Sequence, residues 1–201
     1  MVLGAALAAA LAAFSPAPAS ADPGAVFDGS IACRDAGKVR FCEGTSLVTT
    51  WDGSPIDVNV TLPKGDGPFP LIGIFHGWGG SKVGLSASDD WAEDGYAVFT
   101  MTDRGWGRSC GGGQSMQRFE AACAKGYNHL MDTRYEVRDA QYLMGRLVDE
   151  GIADPKRIGA FGGSYGGGLS MALAALRNRT MLPDGSYTAW KSPAKGIPIS
   201  L

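Results

Sequence analysis

Histidine is nearly missing from this chain: two stand among 201 residues, His76 and His129, and none follows Ser164. One acidic residue follows Ser164, Asp184, in the turn sequence LPDGS. The four cysteines never occur as C-x-x-C, and with so few histidines no zinc-ligand set emerges from the spacing. No metal or organic cofactor is expected. Runs of one charge sign are absent too; 18 basic against 20 acidic residues leave a formal charge of −2, which argues against a nucleic-acid or membrane-surface partner. The apolar stretch LGAALAAALAAF near the N-terminus is shorter than the roughly 20 residues a spanning helix needs. No fixed period suggests a repeat array.

What is present describes one domain. A hydrophobic content of 45% over this length is enough to bury a core. The N-terminal apolar stretch leads into SPAPASADPG, where Ala19, Ser20 and Ala21 fit an A-x-A cleavage site before Asp22, so residues 1–21 read as a signal peptide, although basic residues before the apolar stretch are lacking. Secretion is expected. All four cysteines follow that site, as two local pairs, Cys33 with Cys42 and Cys110 with Cys123. Three connectivities are open in principle; local pairing would close two short loops in an oxidising compartment, and free thiols remain the alternative in a cytosolic chain. The organisation expected is a disulfide-bearing segment over 22–46, then a partial α/β domain over 47–201.

LVTTWDGSPIDVNVTLP holds two β-rich runs around WDGSP, an antiparallel hairpin signal. FPLIGIF and YAVFTMT are continuous apolar runs that read as buried parallel strands. Between them LSASDDWAEDG reads as a short helix ending at Gly95. DTRYEVRDAQYLMGRLVDEG carries a Thr133 to Glu136 capping box and apolar positions Val137, Ala140, Met144 and Leu147 at helical spacing. RIGAF is a short strand, and LSMALAALR a helix. A hairpin followed by alternating strands and helices is an α/β sheet.

Between RIGAF and that helix, Gly162, Gly163, Ser164, Tyr165 and Gly166 match G-x-S-x-G in a strand-to-helix context. Ser164 is then a candidate nucleophile on a strained turn whose flanking glycines avoid a clash, and the Tyr165 N–H at the helix start could stabilise an oxyanion. The inert-glycine-turn reading is the alternative; a phosphate loop lacks its G-K-[ST] ending. HGWGG, residues 76–80, follows the first parallel strand, where an α/β-hydrolase supplies its second oxyanion donor, here the Trp78 N–H. His76 and Gly77 support that loop. Asp103 and Arg104, at the end of the next strand, fall where open sheets place functional loops, with Asp103 bracing the Gly-Trp-Gly turn through side-chain bonds and Arg104 pairing nearby. Trp106 fits core packing or an acyl pocket.

Taken together, FHGWGGSK, DRGWGRSCGG, DTRYEVRDAQYL and GGSYGGGLS resemble the X-prolyl dipeptidyl peptidase-like group of α/β-hydrolases related to cocaine esterase, over roughly residues 43–201. The resemblance implies an α/β-hydrolase fold with a mostly parallel sheet and an N-terminal antiparallel hairpin. It also implies a secreted serine hydrolase that cleaves a small ester or short X-prolyl peptide through an acyl-enzyme on Ser164. That fold's chain order is serine, acid, histidine; no histidine follows Ser164, and Asp184, the one acid after it, reads as a turn residue linking a hairpin rather than one that orients a base, so both are expected beyond Leu201. A serine without a base is a poor nucleophile at neutral pH. The chain is therefore expected to be the N-terminal part of a longer hydrolase, lacking its C-terminal strands and weakly active or inactive alone. Two other readings stay open: a noncatalytic binding protein on a degenerate hydrolase fold, and an enzyme in which His76 or His129 reaches Ser164 from an earlier loop. Oligomeric state is not legible.

Overall fold

The computed structural model describes residues 24–201, except the side chains of residues 113–115; the expected signal peptide lies outside the described residues. Five strands open the chain: β1 (Ala25–Val26), β2 (Ile31–Ala36), β3 (Val39–Cys42), β4 (Val48–Thr49) and β5 (Pro55–Pro63). All pair antiparallel, β4 turning back onto β5 through the turn at Trp51 to Ser54. The antiparallel part is thus larger than the single hairpin expected. Within the disulfide-bearing N-terminal segment, β3 pairs with β5 from Val39↔Pro63 to Cys42↔Val60, so residues 25–42 continue the same sheet. The disulfide Cys33–Cys42 joins directly opposed positions of β2 and β3.

β6 (Phe69–Phe75), β7 (Ala97–Thr102) and β8 (Ala153–Gly162) form the parallel part, in the order β5-β7-β6-β8, so β8 is the edge strand. A 3₁₀ turn over Leu85–Ala87 and the short helix α1 (Asp89–Glu93) connect β6 to β7, closing at Gly95 with φ +94°. That value lies in the region open to glycine. Three helices connect β7 to β8: α2 (Gly113–Arg118), α3 (Glu120–Cys123) and α4 (Glu136–Asp149). The second disulfide, Cys110–Cys123, ties the loop after β7 to α3. α5 (Tyr165–Leu176) follows β8, then the small hairpin β9 (Arg179–Met181) and β10 (Tyr187–Ala189).

The main core lies between the sheet and α4 and α5. Val137, Ala140, Met144 and Leu147, the helical stripe of the sequence, are fully buried with Leu143, against Leu71, Phe75, Leu169 and Leu173. The start of α4 differs from the expected capping box. Tyr135 is the N-cap and makes no side-chain cap bond, while the Thr133 hydroxyl turns to Met181 Sδ. Glu136 instead accepts the backbone N–H groups of His129 (2.5 Å) and Asp132 (2.9 Å), which fastens the preceding loop to the helix.

Candidate active site

Ser164 joins β8 to α5 with φ +53°, a left-handed conformation costly for a residue with a side chain. The neighbouring glycines explain how the turn closes. A Cβ on Gly166 would stand 2.2 Å from Phe75 O and 2.6 Å from Phe75 C. One on Gly162 would stand 2.6 Å from Gly166 C and 2.8 Å from Phe75 O. The start of α5 therefore presses directly on the backbone at the end of β6. Gly163 has open space around it, so packing does not demand glycine there. Ser164 is left exposed, at the end of α5 where backbone N–H groups, Tyr165's first, lack intrahelical acceptors.

The same five-residue pattern recurs at Gly107 to Gly111, a match that sequence reasoning passed over. There Ser109 is fully buried, its hydroxyl donating to Thr102 O (2.7 Å) and accepting from the Asp57 N–H (2.9 Å). Placement between strand and helix separates the two serines.

The loop after β6 comes over Ser164: a Cβ on Gly77 would lie 3.9 Å from Ser164 Cβ. His76, 6% exposed, holds this loop from below. Its Nε2 accepts the Asp103 N–H (3.0 Å), so Nδ1 carries the proton and donates to Gly77 O (2.7 Å). Both ring nitrogens are occupied by backbone. Gly80 N–H closes the turn onto Gly77 O (3.0 Å). Trp78 is 63% exposed and packs edge-on against Trp106 (4.7 Å) and Tyr165 (5.6 Å). Trp106 is thus half-buried in an aromatic group beside the elbow rather than in the core.

Sequence reasoning also missed a clasp on that group. Tyr165 Oη accepts from Asn128 Nδ2 (2.8 Å) and from the Met131 N–H (3.0 Å). Leu130 and Met131 both take positive φ in this loop, a backbone form that residue type does not announce. Burial, with the nearby Glu136 charge, pushes the Tyr165 phenol up to about 12, so it stays a neutral hydroxyl.

Asp103 does not brace the following turn with its side chain, contrary to expectation. Its main chain does, through the N–H to His76 and the carbonyl that accepts from Trp106 N–H (3.2 Å). Both carboxyl oxygens are buried and have no hydrogen-bond partner among the described residues, and Oδ2 lies 3.6 Å from His76 Nε2, whose lone pair is already engaged. Burial first, then Glu136 and Asp139, hold its pKa well above the usual carboxylate range. Arg104 does pair: its fully buried guanidinium bonds both oxygens of Asp139 (2.6 and 2.6 Å), reaches Asp52 (2.9 Å), and lies 5.5 Å from the ring centres of both Trp51 and Tyr135, which are themselves 6.1 Å apart. Burial pushes Asp139 upward, to about 6, against the pull of Arg104.

His129 is stacked between Tyr127 (4.1 Å) and Tyr135 (3.7 Å); burial, then the Arg104 charge, lowers its pKa. Among the described residues neither histidine bonds Ser164. Asp184 sits in the β9–β10 turn, exposed, its Oδ1 taking the Ser186 N–H and hydroxyl, the local role its turn sequence suggests.

Residues 46–187 match the family model described as acetyl xylan esterase (AXE1). Among solved structures the chain is similar to an acetyl xylan esterase from Paenibacillus sp. R4, with 22% identity and TM-score 0.48 over 71% of this chain and 48% of that one. It is similar to acetyl xylan esterase 1 from Thermoanaerobacterium sp. JW/SL YS485, with 24% identity and TM-score 0.45 over 73% and 44%. A CocE/NonD family hydrolase from Staphylococcus aureus matches at 17% identity and TM-score 0.51 over 69% of this chain and 25% of that one. The fold shared with the last is the α/β-hydrolase fold. The chain spans less than half the length of each of these proteins.

Proposed function

The chain belongs to the acetyl xylan esterase (AXE1) family, and from that premise we propose that it is the nucleophile-bearing part of a secreted serine esterase that removes acetyl groups from an acylated carbohydrate. The observation that carries this reading is Ser164 at φ +53° on a glycine-packed strand-to-helix turn, under the loop of residues 76–80. Ser164 Oγ attacks the ester carbonyl. The N–H groups of Trp78 and Tyr165 receive the developing oxyanion. Collapse releases the alcohol and leaves an acyl-serine, which water then hydrolyses to acetate. A base must take the Oγ proton and return it to the leaving alcohol. His76 has both nitrogens engaged and His129 is stacked between tyrosines, so in this reading the histidine and its acid come from chain outside these 201 residues. The two disulfides support secretion. The family match favours an ester over the X-prolyl amide.

The test compares the native secreted protein with its Ser164→Ala variant, using a fluorophosphonate label, acetylated xylan and an X-prolyl anilide. Labelling at Ser164 with acetate release, both abolished in the variant, is expected. Faster turnover of the anilide would move the assignment to a peptidase. Turnover that survives Ser164→Ala would overturn the nucleophile. The noncatalytic reading draws on the lack of any histidine bond to Ser164, and would gain if the wild-type native protein resisted the label.

A further inference from the structure

Trp78 is one corner of the turn that the Gly80 N–H closes onto Gly77 O (3.0 Å), and Gly79, the other corner, takes φ +70°, as a turn with glycine in its third place requires. The turn fixes the Trp78 backbone, and two rings fix its indole. Trp106 and Tyr165 meet it at 4.7 and 5.6 Å, inclined at 80° and 68°. Each is itself anchored, Tyr165 by the two bonds to its hydroxyl and Trp106 by backbone bridges to Ser109 and Cys110. Even so, Trp78 is 63% exposed. Leu130, 64% exposed, adds a second apolar side chain from the loop that clasps Tyr165. Apolar side chains held in water beside a candidate nucleophile mark a ligand surface rather than core.

The chemistry of that surface specifies its ligand. No cation among the described residues covers the Trp78 ring in the way that Arg104 and Arg138 cover Trp51. An indole face is apolar and carries a negative quadrupole. It suits a flat array of C–H bonds whose hydroxyls point outward to water, which is one face of a pyranose ring. An acetyl group is too small to need such a surface, and a pocket for it would be enclosed rather than open. The ring therefore belongs to the alcohol side of the ester, one residue along from Gly77, whose Cβ would lie 3.9 Å from Ser164 Cβ.

We propose that the Trp78 indole is the platform for a neutral pyranose ring in the alcohol half of the ester, and so selects sugar esters over simple alkyl esters. The selectivity rests on the esterase reading above; the binding of the sugar does not.

The test has two arms, both on the native secreted protein. In the first, Ser164→Ala protein carrying 5-fluorotryptophan is titrated with xylotriose or glycerol, the Trp78 fluorine signal being assigned by its loss in Trp78→Phe. Xylotriose should shift that signal saturably, and glycerol should not. An unmoved signal at tens of millimolar xylotriose, or an equal response to glycerol, overturns the platform whatever Ser164 does. In the second arm, kcat/KM is measured for acetylated xylotriose and for ethyl acetate, which share the acetyl group, in wild type, Trp78→Ala and Trp78→Phe. Alanine keeps the peptide N–H that receives the oxyanion, so a disturbance of that N–H slows both esters and cancels in their ratio. The ratio should fall by about tenfold in Trp78→Ala, as loss of one aromatic contact implies, and recover in part in Trp78→Phe. An unchanged ratio overturns the selectivity. If neither ester releases acetate, the esterase reading fails and takes the selectivity with it, while the titration still decides the platform.

Discussion

Replacing Gly166 by alanine sets two forces of opposite sign against each other. Gly166 is in the first turn of α5, where helix propensity alone would favour alanine by about 1 kcal/mol. The added Cβ, however, would stand 2.2 Å from Phe75 O and 2.8 Å from His76 O. Both are backbone atoms, of a buried strand end and of the loop beneath the elbow, and neither can rotate away. Overpacking against a fixed neighbour costs about 1–3 kcal/mol and more when backbone must shift, so Gly166→Ala is expected to destabilise by about 2 kcal/mol net. At roughly 2–4 °C per kcal/mol for a chain of this size, its melting temperature should fall by about 4–8 °C. Gly163→Ala is the internal control, since its Cβ meets nothing within 4 Å; it should stay within about 0.5 kcal/mol of wild type. Urea unfolding followed by near-ultraviolet circular dichroism measures both. A Gly166→Ala protein as stable as wild type would refute the close approach of α5 to β6, and with it the account of why Ser164 is strained.

Asp103→Asn should flatten the pH dependence of stability. With its native pKa raised, wild type keeps a proton that the unfolded chain has released, so its stability falls as pH rises above about 4 towards the native pKa, by up to about 1.4 kcal/mol per pH unit from this group. Urea midpoints from pH 4 to 7 test this, and parallel curves would contradict it. Arg104→Met leaves the buried Asp139 and the half-buried Asp52 without their cation and should cost about 3–5 kcal/mol; Arg104→Lys, unable to reproduce the two-pronged contact, should not restore it. Replacing Cys110 and Cys123 by serine removes a link with a sequence separation of 13 and should cost about 2–4 kcal/mol, seen as a lower urea midpoint with an unchanged midpoint for the Cys33–Cys42 link to reduction.

The parts of the fold written in local chemistry were legible. The α4 stripe, the hairpin around WDGSP, the Gly95 stop and the strand-turn-helix setting of Ser164 follow from spacing, turn residues and steric room. What escaped depends on partners distant in the chain. Glu136 accepts from His129 and Asp132, so a carboxylate that looks like half of a capping box serves the preceding loop. Asp103 looks like a turn-former but lies in a pocket whose other groups are acidic or already bonded. The clasp of Asn128 and Met131 on Tyr165 needs two positive-φ residues that are neither glycine nor asparagine. Ser109 shows the converse hazard: a pattern sufficient in letters and wrong in burial.

The position of β8 has a kinetic consequence. Its register with β6 joins residues such as Leu71 and Ile158 that are far apart in the chain, whereas β2 with β3 and β4 with β5 are neighbours. Closing short loops first is entropically cheaper, so the antiparallel half gains order early and the parallel half late. The Ser164 turn rests on β6 through Phe75 and hangs from β8, and so it is assembled last. During refolding from urea, the near-ultraviolet signal of the Trp78, Trp106 and Tyr165 group beside this turn should return after secondary structure, and equal rates would refute the order.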